Sequence, residues 1–324
     1  MSEVISSGPF AKVELDAKER DGRLRPVILK TATDYGRKLV ENEGRILSKL
    51  EHPGIVRLYG RRAVGDLPQL ILEYVEGIPL AHWIGNPALA NHRDALALKV
   101  GIETARILTY LHQGREFSDT QFGKVAHGDL NPSNLLVTLH GNLRLIDFGG
   151  AVVESLNGKN TPPAKGANLR YCSPDRTRYE SVSAQDDIFA LGVILWEIAV
   201  GRRYWGAMEN TEIEAKLRDF QLQDPQRART DIPPAIRGII TRCMISEGFT
   251  GYTEAEDVLE DMLAVQTQLN LPAFNAAEMT HNFPEFEAIF RKRREQLAKS
   301  VKPSAGTPQT ESGLSRLIAK LFGN

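Results

Sequence analysis

The sequence predicts an α+β chain in two lobes, a small β-rich lobe over residues 1–75 and a larger helical lobe over residues 76–269. Short apolar runs separated by turn residues fill the first part around a single helical stretch. Beyond Gly77, long stretches with helical spacing take over. Neither an internal repeat nor a coiled-coil heptad appears, so a stacked or fibrous architecture is excluded. Two lobes of this kind are expected to take a ligand in the cleft between them.

In chain order, Ile5-Ser6-Ser7-Gly8-Pro9-Phe10 leads into Val13-Glu14-Leu15, and Arg25-Pro26-Val27-Ile28-Leu29-Lys30 is a second β-rich run. Asp21-Gly22 between them is a hairpin turn signal. From Tyr35 to Leu50, the apolar residues Leu39, Val40, Ile46, Leu47 and Leu50 fall near helical spacing, and His52-Pro53-Gly54 stops the helix. Leu70-Ile71-Leu72 reads as a buried strand. Asp94 to Gln113 is a long helix carrying Ala95, Leu98, Val100, Ile102, Ala105, Leu108 and Leu111. Two short strands, Leu135–Val137 and Leu143–Ile146, flank the hairpin residues His140-Gly141-Asn142. Asp187 to Val200 is apolar on nearly every side, the pattern of a helix buried all round. Helical patterns then continue to about Leu269.

Three further segments follow: a helical extension over residues 270–300, a linker over 301–312 and a terminal amphipathic helix over 313–324. Phe286, Ile289, Phe290 and Leu297 share one side of the extension, which also carries Arg291-Lys292-Arg293-Arg294. In the last segment Leu314, Leu317, Ile318, Leu321 and Phe322 follow a helical stripe flanked by Arg316 and Lys320. Such a helix either docks on a protein core, its own or a partner's, or lies on an anionic membrane surface.

Composition narrows the class. The chain is 42% hydrophobic and 25% charged, enough apolar matter for a real core. A net charge of −1 gives no drive towards nucleic acid, which is not expected as a partner. Cys172 and Cys243 are too few and too far apart for a disulfide framework, and neither sits in a zinc-ligand cluster. The first residues lack the basic and apolar regions of a signal peptide. Ile188 to Val200 is interrupted by Glu197 and falls short of the ~20 residues of a membrane span. The expected location is cytoplasmic, with a peripheral membrane surface as the setting if the terminal helix is an anchor.

Transfer of a phosphoryl group asks a protein for positioning and charge neutralisation. A lysine must hold the phosphates and a carboxylate must hold that lysine. Two oxygen ligands must hold a metal ion, and one carboxylate must orient the acceptor hydroxyl. His127-Gly128-Asp129-Leu130-Asn131-Pro132-Ser133-Asn134 resembles the catalytic loop of eukaryotic-type protein kinases, and Asp147-Phe148-Gly149 follows 13 residues after Asn134 as their D-F-G element does. Val27-Ile28-Leu29-Lys30 is similar to the V-A-I-K strand, and Glu43 lies where the family places its helix C glutamate. Taken singly, each piece has a bland reading: a solvated lysine, a common turn, an ordinary helix face. Their order and spacing together point to the family.

The resemblance implies a protein-kinase-like fold over about residues 5–268, and transfer of the γ-phosphoryl of Mg-ATP to a protein hydroxyl, Ser/Thr before Tyr. It makes Asp129 the group that orients the hydroxyl. Lys30 becomes the phosphate contact paired with Glu43, and Asn134 and Asp147 the Mg²⁺ ligands. Phe148 and His127 would pack beneath. Leu72, Glu73 and Val75 resemble the segment that binds adenine, and Ser6, Gly8, Val13 and Ile28 would line the nucleotide. Tyr171-Cys172-Ser173-Pro174-Asp175 resembles the end of the activation segment. The helix beginning at Asp187 resembles the buried one whose aspartate ties down the catalytic loop.

Several positions depart from the pattern. Only Gly8 remains of three glycines in the phosphate loop, so this loop should be stiffer, and Ile28 replaces the usual alanine. Gly128 replaces the arginine that grips a phosphorylated activation loop, which predicts activity without that modification. Asn131 and Asn168 stand where serine/threonine kinases carry lysine and threonine. Asp175 shortens the usual glutamate and Gly251-Tyr252-Thr253 replaces its arginine partner, so the helical lobe must be braced differently. The His-Gly-Asp sequence also resembles aminoglycoside and choline phosphotransferases. A small-molecule kinase and a nucleotide-binding pseudokinase scaffold are therefore the alternatives.

Overall fold

A computed structural model describes residues 3–20, 23–118, 121–155, 168–179, 182–245, 250–271, 274–275 and five positions between 287 and 295. The extension, linker and terminal amphipathic helix expected after residue 270 therefore lie almost wholly outside the described residues, as does the Asp21-Gly22 turn. The described chain forms two compact units, one from residues 1–51 and 56–78, the other from 52–55 and 79–276. The first is β-rich and the second mainly helical, the α+β composition that the sequence predicts. No described helix is long and apolar enough to cross a membrane.

The first unit is an antiparallel sheet of β1 (Glu3–Ser7), β2 (Ala11–Arg20), β3 (Arg23–Ala32), β4 (Leu58–Val64) and β5 (Leu67–Glu73), in the order β1-β2-β3-β5-β4. Along β3, Val27 and Leu29 are buried, while the alternate residues Ile28 and Lys30 face the other side and are only half-buried. A helix α1 (Arg37–Leu47) packs on this sheet and buries Val40, Ile46 and Leu47. It is shorter than the Tyr35–Leu50 expected from spacing. Its start is set by Gly36, where an added Cβ would stand 1.6 Å from the Phe10 carbonyl oxygen, so the chain can turn there only with glycine. The strand β4 is absent from the sequence reading, because its Arg61 and Arg62 belong to a largely exposed edge with no buried run to betray it.

β6 (Gly77–Pro79) precedes the second unit, which opens with α2 (Arg93–Leu111). There follow β7 (Arg115–Ser118), β8 (Gln121–Ala126), β9 (Leu135–Thr138), β10 (Leu143–Leu145) and β11 (Val152–Ser155). Then come α3 (Pro174–Tyr179), α4 (Ala184–Val200), α5 (Asn210–Arg218), α6 (Pro225–Ala228), α7 (Pro234–Cys243) and α8 (Ala255–Leu269). α4 buries every residue except Gln185, as its uniform apolarity predicts, and packs against α2 and α7. The Asp186 carboxylate accepts from the Ser183 N–H at 2.7 Å, capping the start of α4. A small sheet in the order β11-β8-β7 was not foreseen. Its strands are short and bury at most adjacent pairs, Val125 with Ala126 on β8 and Val152 with Val153 on β11, so neither alternation nor a long apolar run announces them.

Candidate active site

In the first unit the residues singled out from sequence cluster along β1 to β3 and α1. Lys30 on β3 sits opposite Val13 on β2, and Ile28 sits opposite Leu15 on one side and Leu72 on the other. Lys30 Nζ meets Glu43 Oε2 at 2.7 Å, with the Glu43 side chain fully buried and that of Lys30 12% exposed. A carboxylate at that depth is tolerable only with a cation beside it, so the pair fixes the lysine in place. Ser6 and Gly8 are exposed near the β1–β2 turn, where Gly8 N–H donates to the Ala11 carbonyl at 3.0 Å. Thr33 then holds the far side of this turn. Its N–H donates to the Phe10 carbonyl at 3.0 Å and its hydroxyl to the Pro9 carbonyl at 2.5 Å. The stiff loop expected from missing glycines thus has a clamp as well, one that no sequence pattern announced.

Leu72 is buried on β5, and Glu73 ends that strand with its N–H donating to the Arg57 carbonyl at 2.9 Å. Its carboxylate accepts from Arg57 N–H at 3.1 Å. Val75 lies beyond the strand, half-buried.

The second unit holds the carboxylates. β8 delivers His127, Gly128 and Asp129 into a loop anchored by Asp187 near the start of α4. Asp187 accepts from His127 N–H at 2.7 Å and Gly128 N–H at 3.0 Å, and lies 3.1 Å from His112 Nε2 at the end of α2. The anchor role expected of Asp187 is present; its third partner His112 was missed, being one histidine in a helix tail. Asp129 is held at both oxygens. Oδ1 accepts from Asn168 N–H at 3.1 Å, and Oδ2 from Asn134 Nδ2 at 3.1 Å. Asn134 Nδ2 also reaches the Asp129 carbonyl at 2.8 Å, which leaves the Asn134 amide oxygen as a directed acceptor.

Asn131 is not a surface stand-in for a lysine. Its side chain is buried, donating to the Asp129 carbonyl at 2.9 Å and accepting from Ser133 N–H at 2.9 Å, so it shapes the loop. Asp147 is exposed and adopts a left-handed backbone with φ of 63°, a conformation that costs a non-glycine residue roughly 1–2 kcal/mol. Its Oδ1 accepts from Gly149 N–H at 3.2 Å. Phe148 is fully buried, with its ring edge-on to His127 at 4.8 Å, as expected of both.

Burial pushes the Asp129 carboxyl above its ordinary range, and the nearby Asp147 charge adds to this. The Asn168 N–H, the His127 ring and the Asn134 amide pull it back without cancelling the rise. Burial acts on Asp187 too, but His112, His127 and the Gly128 N–H together outweigh it and hold that carboxyl below its ordinary range. Asp186 is raised by burial, against the Ser173 hydroxyl bonded to it.

The brace expected around Gly251–Thr253 is built from other groups. Asp175 finds Arg178 at 3.8 Å, while Tyr252 donates to Asp261 at 2.6 Å beneath the Arg242 guanidinium, 3.9 Å over its ring. A second brace went unseen in the sequence. Buried Glu197, read only as an interruption of an apolar run, accepts from Tyr171 hydroxyl at 2.9 Å, Arg203 at 3.0 Å and Tyr204 N–H at 3.0 Å.

As a metal site the donor set is one carboxylate, Asp147, and one amide oxygen, Asn134. Among the described residues no group of three or more His, Cys, Asp or Glu is placed to hold an ion. Two oxygen donors of this kind fit Mg²⁺, which keeps waters and takes its remaining ligands from phosphates.

The protein kinase domain family matches residues 2–280 of this chain. The serine/threonine-protein kinase PrkC of Bacillus subtilis is 26% identical over 261 residues, covering 80% of this chain and 38% of PrkC. The tyrosine-protein kinase MasK of Myxococcus xanthus is 30% identical over 235 residues, covering 70% and 36%. Calmodulin-binding receptor-like cytoplasmic kinase 1 of Arabidopsis thaliana is 30% identical over 331 residues, covering 96% and 64%. The chain thus spans between 36% and 64% of the length of these relatives.

Proposed function

We propose a phosphoryl-transfer activity for this chain, which belongs to the protein kinase family: it moves the γ-phosphoryl of ATP to a protein hydroxyl, Ser/Thr in preference to Tyr. The observation that carries this reading is Asp129, a carboxylate fixed at both oxygens by Asn168 and Asn134. In that role Asp129 orients the acceptor hydroxyl and takes its proton as oxygen bonds to the γ-phosphorus and the bond to the β-phosphate oxygen breaks, releasing ADP. Lys30, held by Glu43, binds the phosphates. Asn134 and Asp147 hold Mg²⁺, which when bound neutralises charge on the phosphate oxygens. Ser6, Gly8, Val13 and Ile28, with Leu72, Glu73 and Val75, bind the rest of the nucleotide. The raised Asp129 carboxyl suits a proton acceptor working near neutral pH.

Activity without phosphorylation of the activation segment belongs to the same reading. Gly128 offers no side chain to grip a phosphate, and the Asn168 N–H already meets Asp129 in the unmodified chain.

The test is transfer from γ-labelled ATP with Mg²⁺ to the chain itself and to a generic protein acceptor, comparing wild type with Asp129→Asn. Label on protein that vanishes in the variant is the expected result, and phosphoamino-acid analysis then names the hydroxyl. Nucleotide binding with no label on protein would move the acceptor to a small molecule. Absence of both would leave a scaffold.

A further inference from the structure

We propose that Arg176 is a positioning residue for Asp129, clamping the peptide unit that joins Gly128 to it. The proposal rests on the reading of Asp129 as the group that orients the acceptor hydroxyl.

Arg176 lies in the first turn of α3, half-buried, and its Nη1 donates to the Gly128 carbonyl oxygen. That oxygen belongs to the same planar peptide as the Asp129 N–H, which donates to His127 Nδ1 at 3.3 Å. The peptide is therefore held at both its oxygen and its nitrogen. One residue earlier, Gly128 N–H is held by Asp187 at 3.0 Å. The peptide after Asp129 is held too, its carbonyl accepting from Asn131 and Asn134, so the direction of the Asp129 side chain is set by a backbone with little freedom left. A guanidinium bonded to a carbonyl is a charge-assisted contact, stronger than a neutral one.

Gly128 itself has no side chain to brace this turn, and the turn favours glycine. Its φ is 70°, and an added Cβ would stand 2.6 Å from the Gly150 carbonyl oxygen and 3.0 Å from Val182 Cγ1. A side chain at 128 would strain this backbone and push on the Gly150 carbonyl, so the turn that aims the Gly128 carbonyl at Arg176 disfavours an arginine there. Arg176 is itself held. Its N–H donates to Ser173 Oγ at 3.0 Å, and Ser173 in turn bonds the buried Asp186, whose charge also acts on the guanidinium. The clamp thus joins the Ser173-Pro174 segment to the loop that carries Asp129.

A double-mutant cycle in the full chain separates positioning from mere support of α3. Arg176→Met should lower kcat about 10- to 100-fold, the scale of a displacement near 1 Å, with KM for ATP within about twofold of wild type. Arg176→Lys, which keeps a cationic donor, should recover most of that loss. In an Asp129→Asn background, read by single turnover, Arg176→Met should change nothing further, since no carboxylate remains to be aimed. Wild-type kcat in Arg176→Met, or losses that multiply across the two backgrounds, would overturn the proposal. If Arg176→Met fails to fold, Arg176→Gln carries the same cycle and the same criteria. Full activity in Asp129→Asn alone would instead overturn the underlying reading.

Discussion

Replacing Asp187 by asparagine keeps the shape of a side chain that is 1% exposed and removes its charge. The carboxylate receives His127 N–H and the His112 ring on Oδ2, and Gly128 N–H on Oδ1. An amide has one acceptor oxygen. If it serves Oδ2's partners, its NH₂ group faces the Gly128 N–H, donor against donor. One charge-assisted hydrogen bond is lost, about 1.5–3 kcal/mol, and a buried N–H is left unsatisfied for about 1–3 kcal/mol more. Relief from burying a charge offsets part of this. The net loss should be about 2–4 kcal/mol, a large share of the roughly 5–15 kcal/mol available to a folded protein.

Urea unfolding followed by circular dichroism measures it, as a lower midpoint at unchanged slope. The pH dependence gives an independent check. The folded-state value of this carboxyl lies below its unfolded one, so its contribution is complete above the unfolded value near about 4. It is lost as pH falls through the folded value. The gap between wild type and Asp187→Asn should therefore be full at neutral pH and close on acidification. A gap under about 1 kcal/mol at pH 7, or one that widens in acid, would falsify the account of Asp187 as the charged anchor of this loop.

In the first unit, Glu43→Gln leaves Lys30 without its buried counter-ion, and should lower stability by about 3 kcal/mol and reduce kcat/KM for ATP. Thermal melts and steady-state assays read the two effects. Gly128→Ala meets both a positive φ and a backbone oxygen, and should cost at least about 2 kcal/mol while abolishing transfer; unchanged activity would contradict the tight turn. Gly36→Ala must push the Phe10 carbonyl away and free the β1–β2 turn, seen as faster amide exchange at Gly8 and a higher KM for ATP.

The strands and helices with continuous or periodic burial were readable: β3, β5, α2 and above all α4. Those with no buried residue, as β4, or with at most an adjacent buried pair, as β7, β8 and β11, were not, because so short a pattern resembles a loop. The site divides in the same way. Lys30, Glu43, Asp129, Asn134 and Asp147 could be named because their chemistry demands fixed residue types in a fixed order. The groups that brace the segments around them, Thr33, His112, Asn131, Arg176 and Glu197, act through bonds between residues as much as 75 positions apart, for His112 and Asp187. Polar residues of that kind fit ordinary surface readings until the fold pairs them. Gly128 was noted as a missing arginine; that its backbone favours glycine became visible only with the positive φ and the nearby Gly150 carbonyl.

α4 has a consequence for how the chain is made. Its 17 residues bury nearly every side chain, and one wall of that burial, α7, ends at Cys243, 43 residues after Val200. At roughly 5–20 residues per second, a ribosome needs about 2–9 s to supply it. For that interval a greasy helix lacks the α7 side of its cover, long enough for non-specific collapse and for capture by a chaperone. Truncations ending between α4 and α7 should therefore be poorly soluble, and synthesis should depend on holdase supply more than the stability of the finished protein would suggest.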